Sequence, residues 1–163
     1  MPTVVIASPK GGAGKSTTAI LLGTELAHAG ASVVMLDCDP NHSLTLWADR
    51  APLPDRIQVL SSVTESDIVK SIKQHDTDGQ IVVVDLEGVA SRLVSRAISQ
   101  ADLVITPMRA TTLDATIGVR ALQLIAEEEE ALDRKIPHAV VFTMTKAVRS
   151  KQHSGIAESL AAQ

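Results

Sequence analysis

Aromatic side chains are nearly missing from this chain: Trp47 and Phe142 are joined by no tyrosine among 163 residues. The core must therefore be aliphatic, and the scarcity argues against a nucleic-acid surface built on rings stacked against bases. Cysteine is as scarce. Cys38 alone rules out an internal disulfide and a cysteine-rich metal cage, and its place in an apolar run makes it a small buried hydrophobe. Positive charge falls short of negative, 15 Lys and Arg against 19 Asp and Glu, for a net charge of −4. DNA contact would then need a local basic patch, not a basic protein. No apolar run approaches the ~20 residues of a membrane span, and no positively charged leader opens the chain. A reduced, cytoplasmic setting fits these absences. His28, His42, His75, His138 and His153 are scattered without the pairing of a zinc site. The G-x-S-x-G turn of serine hydrolases and the G-x-G-x-x-G dinucleotide fingerprint are also missing.

What is present is a regular alternation. Apolar, β-branched runs at Thr3–Ser8, Ser32–Asp37, Ile57–Leu60, Ile81–Asp85, Leu103–Pro107 and Ala139–Met144 read as strands buried on both faces, as in a parallel sheet. Helical patterns lie between them, clearest over Lys15–Ala29, Ser66–Gln74, Ala90–Ser99 and Leu113–Leu132. Such alternation predicts right-handed βαβ crossovers and an α/β three-layer sandwich with a mostly parallel twisted sheet. With 45% hydrophobic and 21% charged residues, residues 1–163 read as one domain. A chain of this length buries roughly 70% of its unfolded surface. The run Glu127–Glu130 reads as the solvated face of a long helix, and "RAPLPDR", Arg50–Arg56, as a surface loop.

The densest chemistry lies in "SPKGGAGKST", Ser8–Thr17. A strand before it and a helix after it make the context of a phosphate-binding loop. Gly11, Gly12 and Gly14 let the backbone curl and bring successive N–H groups toward an anion. The helix starting near Lys15 adds its positive end. Lys15 can then reach the β- and γ-phosphates, and the Ser16 hydroxyl can ligate Mg²⁺. Asp37 falls at the carboxyl end of the second strand, the edge where open α/β sheets bind ligands. Asp85, after four apolar residues, can hold Mg²⁺ through a water. Gly11, Gly12, Ala13, Gly14, Lys15, Ser16, Thr17 and Asp85 are thus the candidate nucleotide-binding residues. The pattern G-x-x-x-x-G-K-[ST] nevertheless lacks its first glycine. Pro9 stands there, and Lys10 follows it.

"KGGAGKST" is a deviant form of the loop, and on it the chain resembles the ParA/MinD family of P-loop ATPases, within it the small plasmid-partition ParA proteins. "DCDPN" at Asp37–Asn41 resembles the family's DxDPQ segment, with Asn41 in place of glutamine. "DLEG" at Asp85–Gly88 fits its D-x-x-G turn, and "LVITPMRATTLDA" matches its strand-then-loop passage at Pro107 and Asp114. Arg109 stands where small or apolar residues are usual, and no role follows for it. The likeness runs from Thr3 to about Leu160. It implies a P-loop fold, ATP/ADP and Mg²⁺ as ligands, weak ATP hydrolysis unless a partner activates it, and a nucleotide-dependent homodimer. It further implies an adaptor of the ParB type and a task in plasmid or chromosome partition or related positioning. By the same resemblance Lys10 crosses the dimer interface to the partner's ATP, completing with Lys15 and Asp39 the catalytic set. Asp39 orients the attacking water and is a further candidate metal contact, while Glu87 is a candidate switch residue. The plainer alternatives are a solvated loop lysine for Lys10 and a helix cap for Asp39.

Two rivals share this fold: a metabolic ATP-dependent ligase or kinase, and a nucleotide-dependent scaffold that does not hydrolyse. Family members continue by a strand or two and a C-terminal helix that carry adenine contacts and basic residues. On that ground weak purine selectivity and poor non-specific DNA binding are expected. Lys146, Arg149 and Lys151 form the basic cluster available to DNA phosphates. With the first strand at Thr3, no N-terminal helix-turn-helix domain is expected, and without a basic amphipathic C-terminal helix no membrane targeting is expected. A cytoplasmic, nucleoid-associated location is the expectation.

Overall fold

All six apolar runs are strands: β1 (Thr3–Ile6), β2 (Ser32–Cys38), β3 (Ile57–Leu60), β4 (Gln80–Leu86), β5 (Leu103–Arg109) and β6 (His138–Thr143). They are seen in a computed structural model that describes residues 2–50, 52–76, 79–88, 91–145 and 151–161. The strands form one sheet in the order β3-β2-β4-β1-β5-β6, and every pairing is parallel. Strands buried on both faces have no need to alternate polar with apolar residues, which is why the runs read as continuous. β5 passes through Pro107 to Arg109, two residues beyond expectation, and β6 keeps register with it from Val104–His138 to Arg109–Thr143.

Helices α1 (Lys15–His28), α2 (Ser43–Arg50), α3 (Ile68–His75), α4 (Arg92–Ile98), α5 (Thr112–Leu132) and α6 (Lys151–Ala161) connect and cover the strands. Two aliphatic layers result. On one face Ala19 and Ala27 of α1 and Leu44 of α2 pack with Val4, Ile6, Val33, Met35 and Val83. On the other, Ile68 and Ile72 of α3, Val94 and Ile98 of α4 and Ile125 of α5 pack with Val5, Val34, Leu36, Val82 and Val84. α1 lies so close to the sheet that a Cβ on Gly23 would sit 2.9 Å from the Met35 sulfur.

Local chemistry sets the helix starts. Ser91 caps α4 by accepting from the Val94 N–H, and Thr111 caps α5 by accepting from the Asp114 N–H at 3.1 Å. The acidic run of α5 divides in two. Glu127 and Glu130 are exposed, as a solvated face requires. Glu128 instead accepts from the Ser95 hydroxyl, and Glu129 accepts from Lys135 Nζ at 2.8 Å and the Ile136 N–H at 2.7 Å. These two tie α5 to α4 and to the turn that leads into β6, so half of the run is structural.

Candidate nucleotide-binding site

The carboxyl ends of β1, β2, β4 and β5 converge on the glycine loop that joins β1 to α1. Only two of its glycines are there for their backbone: Gly12 has φ 72° and Gly14 φ 93°, left-handed values that disfavour a side chain. Gly11 is not among the positive-φ residues, and a Cβ there would meet open space. Its smallness is not what makes the curl. Gly14 is also the N-cap of α1, and its lack of a side chain leaves the first-turn N–H groups to a ligand. Lys15 is 6% exposed, its ammonium folded back to the Lys10 carbonyl at 3.5 Å. Ser16 is half-buried and Thr17 exposed in that first turn.

The turn after β4 closes on the loop. A Cβ on Gly88 would stand 3.0 Å from Gly11 N, 3.2 Å from the Lys10 carbonyl carbon and 3.2 Å from Lys15 Nζ. This is the physical sense of the glycine that ends "DLEG". Glu87, the candidate switch residue, lines a cleft together with Ser8 and Pro9 of the loop and with Val94, Ile98 and Arg120.

Asp37 and Asp85 are register partners on β2 and β4, and both are fully buried. Asp37 is saturated: Oδ1 accepts from the Asp39 N–H at 3.3 Å, and Oδ2 from the Thr45 N–H at 2.9 Å and hydroxyl at 2.7 Å. Asp85 accepts no hydrogen bond at either oxygen. Burial pushes its carboxyl up to about 6; Ser16 and Lys15, close by, pull it down, while Asp37 and Asp39 push it further up. A buried carboxylate with no partner is costly unless something outside the chain satisfies it. Beside Ser16 and Lys15, that something fits a hydrated divalent cation. Cys38, next to Asp37 in sequence, is held as a thiol: burial and then Asp37 and Asp85 raise it to about 12.

Asp39 is half-buried, and its Oδ1 accepts from the Asn41 N–H and side-chain amide, both at 2.8 Å. That local turn corrects the alternative given for it. The carboxylate that holds the start of α2 is Asp37, through Thr45 in the first turn, and not Asp39.

Lys10 donates to Asp114 Oδ1 in its own chain. Asp114 is 3% exposed, and its Oδ2 has no partner. The pair is invisible in sequence, where 104 residues separate its members. Arg109 also reaches the loop, donating from Nη2 to the Gly12 carbonyl at 3.1 Å. Thr143, at the end of β6, donates to the Ala13 carbonyl at 2.8 Å. Neither Arg109 nor Thr143 carried a role in the sequence reading. Of the basic cluster, Lys146 and Arg149 lie outside the described residues, and Lys151 opens α6.

A parallel sheet whose central strand feeds a glycine loop, with a buried lysine and two buried carboxylates around it, defines a P-loop nucleotide-binding protein. Comparison with known proteins makes this specific. Residues 4–161 match the model of the CobQ/CobB/MinD/ParA nucleotide-binding domain, and the chain belongs to that family. It is 70% identical over 161 residues to Protein ParA of Rhizobium radiobacter, covering 98% of this chain and 72% of that one. Among solved structures, cobyrinic acid a,c-diamide synthase from Mycobacterium smegmatis with a bound ATP analogue and magnesium superposes with a TM-score of 0.80 at 18% identity, covering 100% and 82% of the two chains. A plasmid partition protein from Borrelia burgdorferi bound to AMPPNP superposes with a TM-score of 0.75 at 22% identity, covering 99% and 81%. The fold is therefore shared by synthase and partition proteins alike. The 70% identity to Protein ParA puts this chain with the partition and positioning ATPases. Among the described residues no helix is long and apolar enough to cross a membrane.

Proposed function

We propose that this chain is a Mg²⁺- and ATP-dependent switch that dimerises when ATP is bound. In this reading it hydrolyses ATP slowly and positions DNA or another cargo with an adaptor of the ParB type. The observation that carries the nucleotide chemistry is the buried, unpartnered Asp85 carboxylate beside Ser16 and Lys15 at the glycine loop. The likeness to ParA supports the partition task.

The residues divide the work as follows. Lys15 exchanges the Lys10 carbonyl for the β- and γ-phosphates. The N–H groups from Gly11 to Thr17 cradle the phosphate chain at the positive end of α1. Ser16 and Asp85, the latter through water, would hold the Mg²⁺, with Asp39 near enough to add to its field. When bound, that ion neutralises charge on the β- and γ-phosphate oxygens. Asp39 orients the attacking water. Lys10 starts from Asp114 and reaches the nucleotide of a second subunit, where a cation supplied in trans stabilises developing charge. Any DNA contact falls to Lys146, Arg149 and Lys151.

The test is solution mass in ATP, in ADP and without nucleotide, for wild type and Lys10→Ala. A dimer is expected with ATP alone, and only for wild type. A Lys10→Ala protein that dimerises normally would remove the trans role of Lys10. A wild type that stays monomeric in saturating ATP would remove the switch.

A further inference from the structure

Arg109 and Thr143 end neighbouring strands side by side, aligned by the register of β5 and β6. Both side chains turn onto the glycine loop, although they lie 97 and 130 residues from the carbonyls they hold. Arg109 takes the Gly12 carbonyl and Thr143 the Ala13 carbonyl, two consecutive peptide units. In a planar trans peptide the C=O and N–H point opposite ways. With both carbonyls pinned toward the ends of β5 and β6, the N–H groups of Ala13 and Gly14 are aimed the other way.

We propose that Arg109 and Thr143 are positioning residues for phosphate, a two-point brace from the sheet that aims the Ala13 and Gly14 N–H groups at the nucleotide. The brace rests on the nucleotide-binding reading above. It is needed because the glycines that permit the curl also permit its reversal. At Gly12 and Gly14 the backbone moves between left- and right-handed regions at little cost. A peptide turned over would present a carbonyl oxygen to the anion in place of a donor. The hydroxyl of Thr143 prevents this for the Ala13–Gly14 unit and the guanidinium of Arg109 for the Gly12–Ala13 unit. Thr143 has a separate packing duty: a Cβ on Gly14 would lie 3.3 Å from its methyl carbon. Hydroxyl and methyl can therefore be tested apart.

The measurement is ADP affinity by titration calorimetry, since ADP reads the loop's own cradle without a γ-phosphate or a second subunit. Thr143→Val keeps the methyl and loses the hydroxyl, while Thr143→Ser does the reverse. Thr143→Val and Arg109→Ala should each weaken ADP binding about tenfold. Thr143→Ser should stay within about twofold of wild type, and nucleotide-free Tm should change little in Thr143→Val. ADP affinity unchanged in Thr143→Val or in Arg109→Ala overturns the brace, as does Thr143→Ser weakened as much as Thr143→Val. Wild-type binding in the same titrations keeps the nucleotide-binding reading intact if the brace fails; absent wild-type binding would fail that reading itself.

Discussion

Asp37 and Asp85 stand side by side on adjacent strands, equally hidden from solvent, and differ in one respect. Asp37 has its oxygens filled by Asp39 and Thr45, whereas Asp85 has neither filled. The same chemical group in nearly the same place serves two purposes. A carboxylate saturated by its own chain is part of the scaffold, here fastening the start of α2 to the end of β2. One left without partners is destabilising by itself and makes sense as a place for a ligand. Burial alone would not have told them apart. Their hydrogen-bond partners do.

The largest effect should come from breaking the open member. Asp85→Asn keeps the shape and removes the charge proposed to hold the metal, so under that reading ATP turnover should fall roughly 100-fold or more. The same change removes an unpartnered buried charge beside Asp37, so nucleotide-free Tm should hold or rise. Parallel ATPase and thermal-melt measurements check both halves. A loss of Tm together with normal turnover would reverse the assignment of the two aspartates.

The saturated member should respond the other way. Asp37→Ala leaves the Thr45 N–H and hydroxyl without their acceptor, a cost of about 2–3 kcal/mol. For a domain of this size that lowers Tm by roughly 5–10 °C. ADP affinity, read on the protein still folded at low temperature, should change far less than Tm does. An unchanged melting curve would mean that Thr45 finds other partners and that the contrast is not energetic.

The sequence made some of this legible and hid the rest for physical reasons. The sheet was readable because strands covered on both faces are continuous apolar runs, and all six lie within two residues of their expected ends. The glycine loop was readable because its chemistry is local, with cradle, lysine and hydroxyl inside ten residues. Asp85 stood out as a charge closing an apolar strand. What makes Asp85 differ from Asp37 was not readable, because the partners of Asp37 arrive through a turn and the next helix. The Lys10–Asp114 pair and the hold of Arg109 and Thr143 on the loop depend on which strands become neighbours. Spacing along a chain carries no record of that. Residue type misled at Gly11, which does not share the left-handed backbone of Gly12 and Gly14, and in the glutamate run, where identical side chains on one helix face different surroundings. The family resemblance pointed to Asp114 as a match, but only the fold supplied its partner.

Asp114 sharpens the comparison because it lies between the extremes, with one oxygen held by Lys10 and the other unpartnered. Burial by itself would raise its carboxyl. The hydrogen bond from Lys10, the nearby Thr111 hydroxyl and the charges of Lys10 and Arg109 outweigh that and hold it below the usual carboxylate range. A carboxylate whose folded value is depressed contributes stability that is complete above its unfolded value, near ~3.9, and is lost as pH falls through the folded one. The coupling between Lys10 and Asp114 should follow the same window. Lys10 is about one-third exposed, so solvent screening keeps that coupling to about 1 kcal/mol, or 2–4 °C in Tm. A double-mutant cycle of Lys10→Met and Asp114→Asn, melted without nucleotide at pH 7 and again at the acid edge of stability, reads it directly. The coupling should be present at pH 7 and fade in acid as Asp114 takes up its proton. A coupling of the same size at both pH values would mean that packing, not charge, joins the pair, and Asp114 would then belong with Asp37 as scaffold.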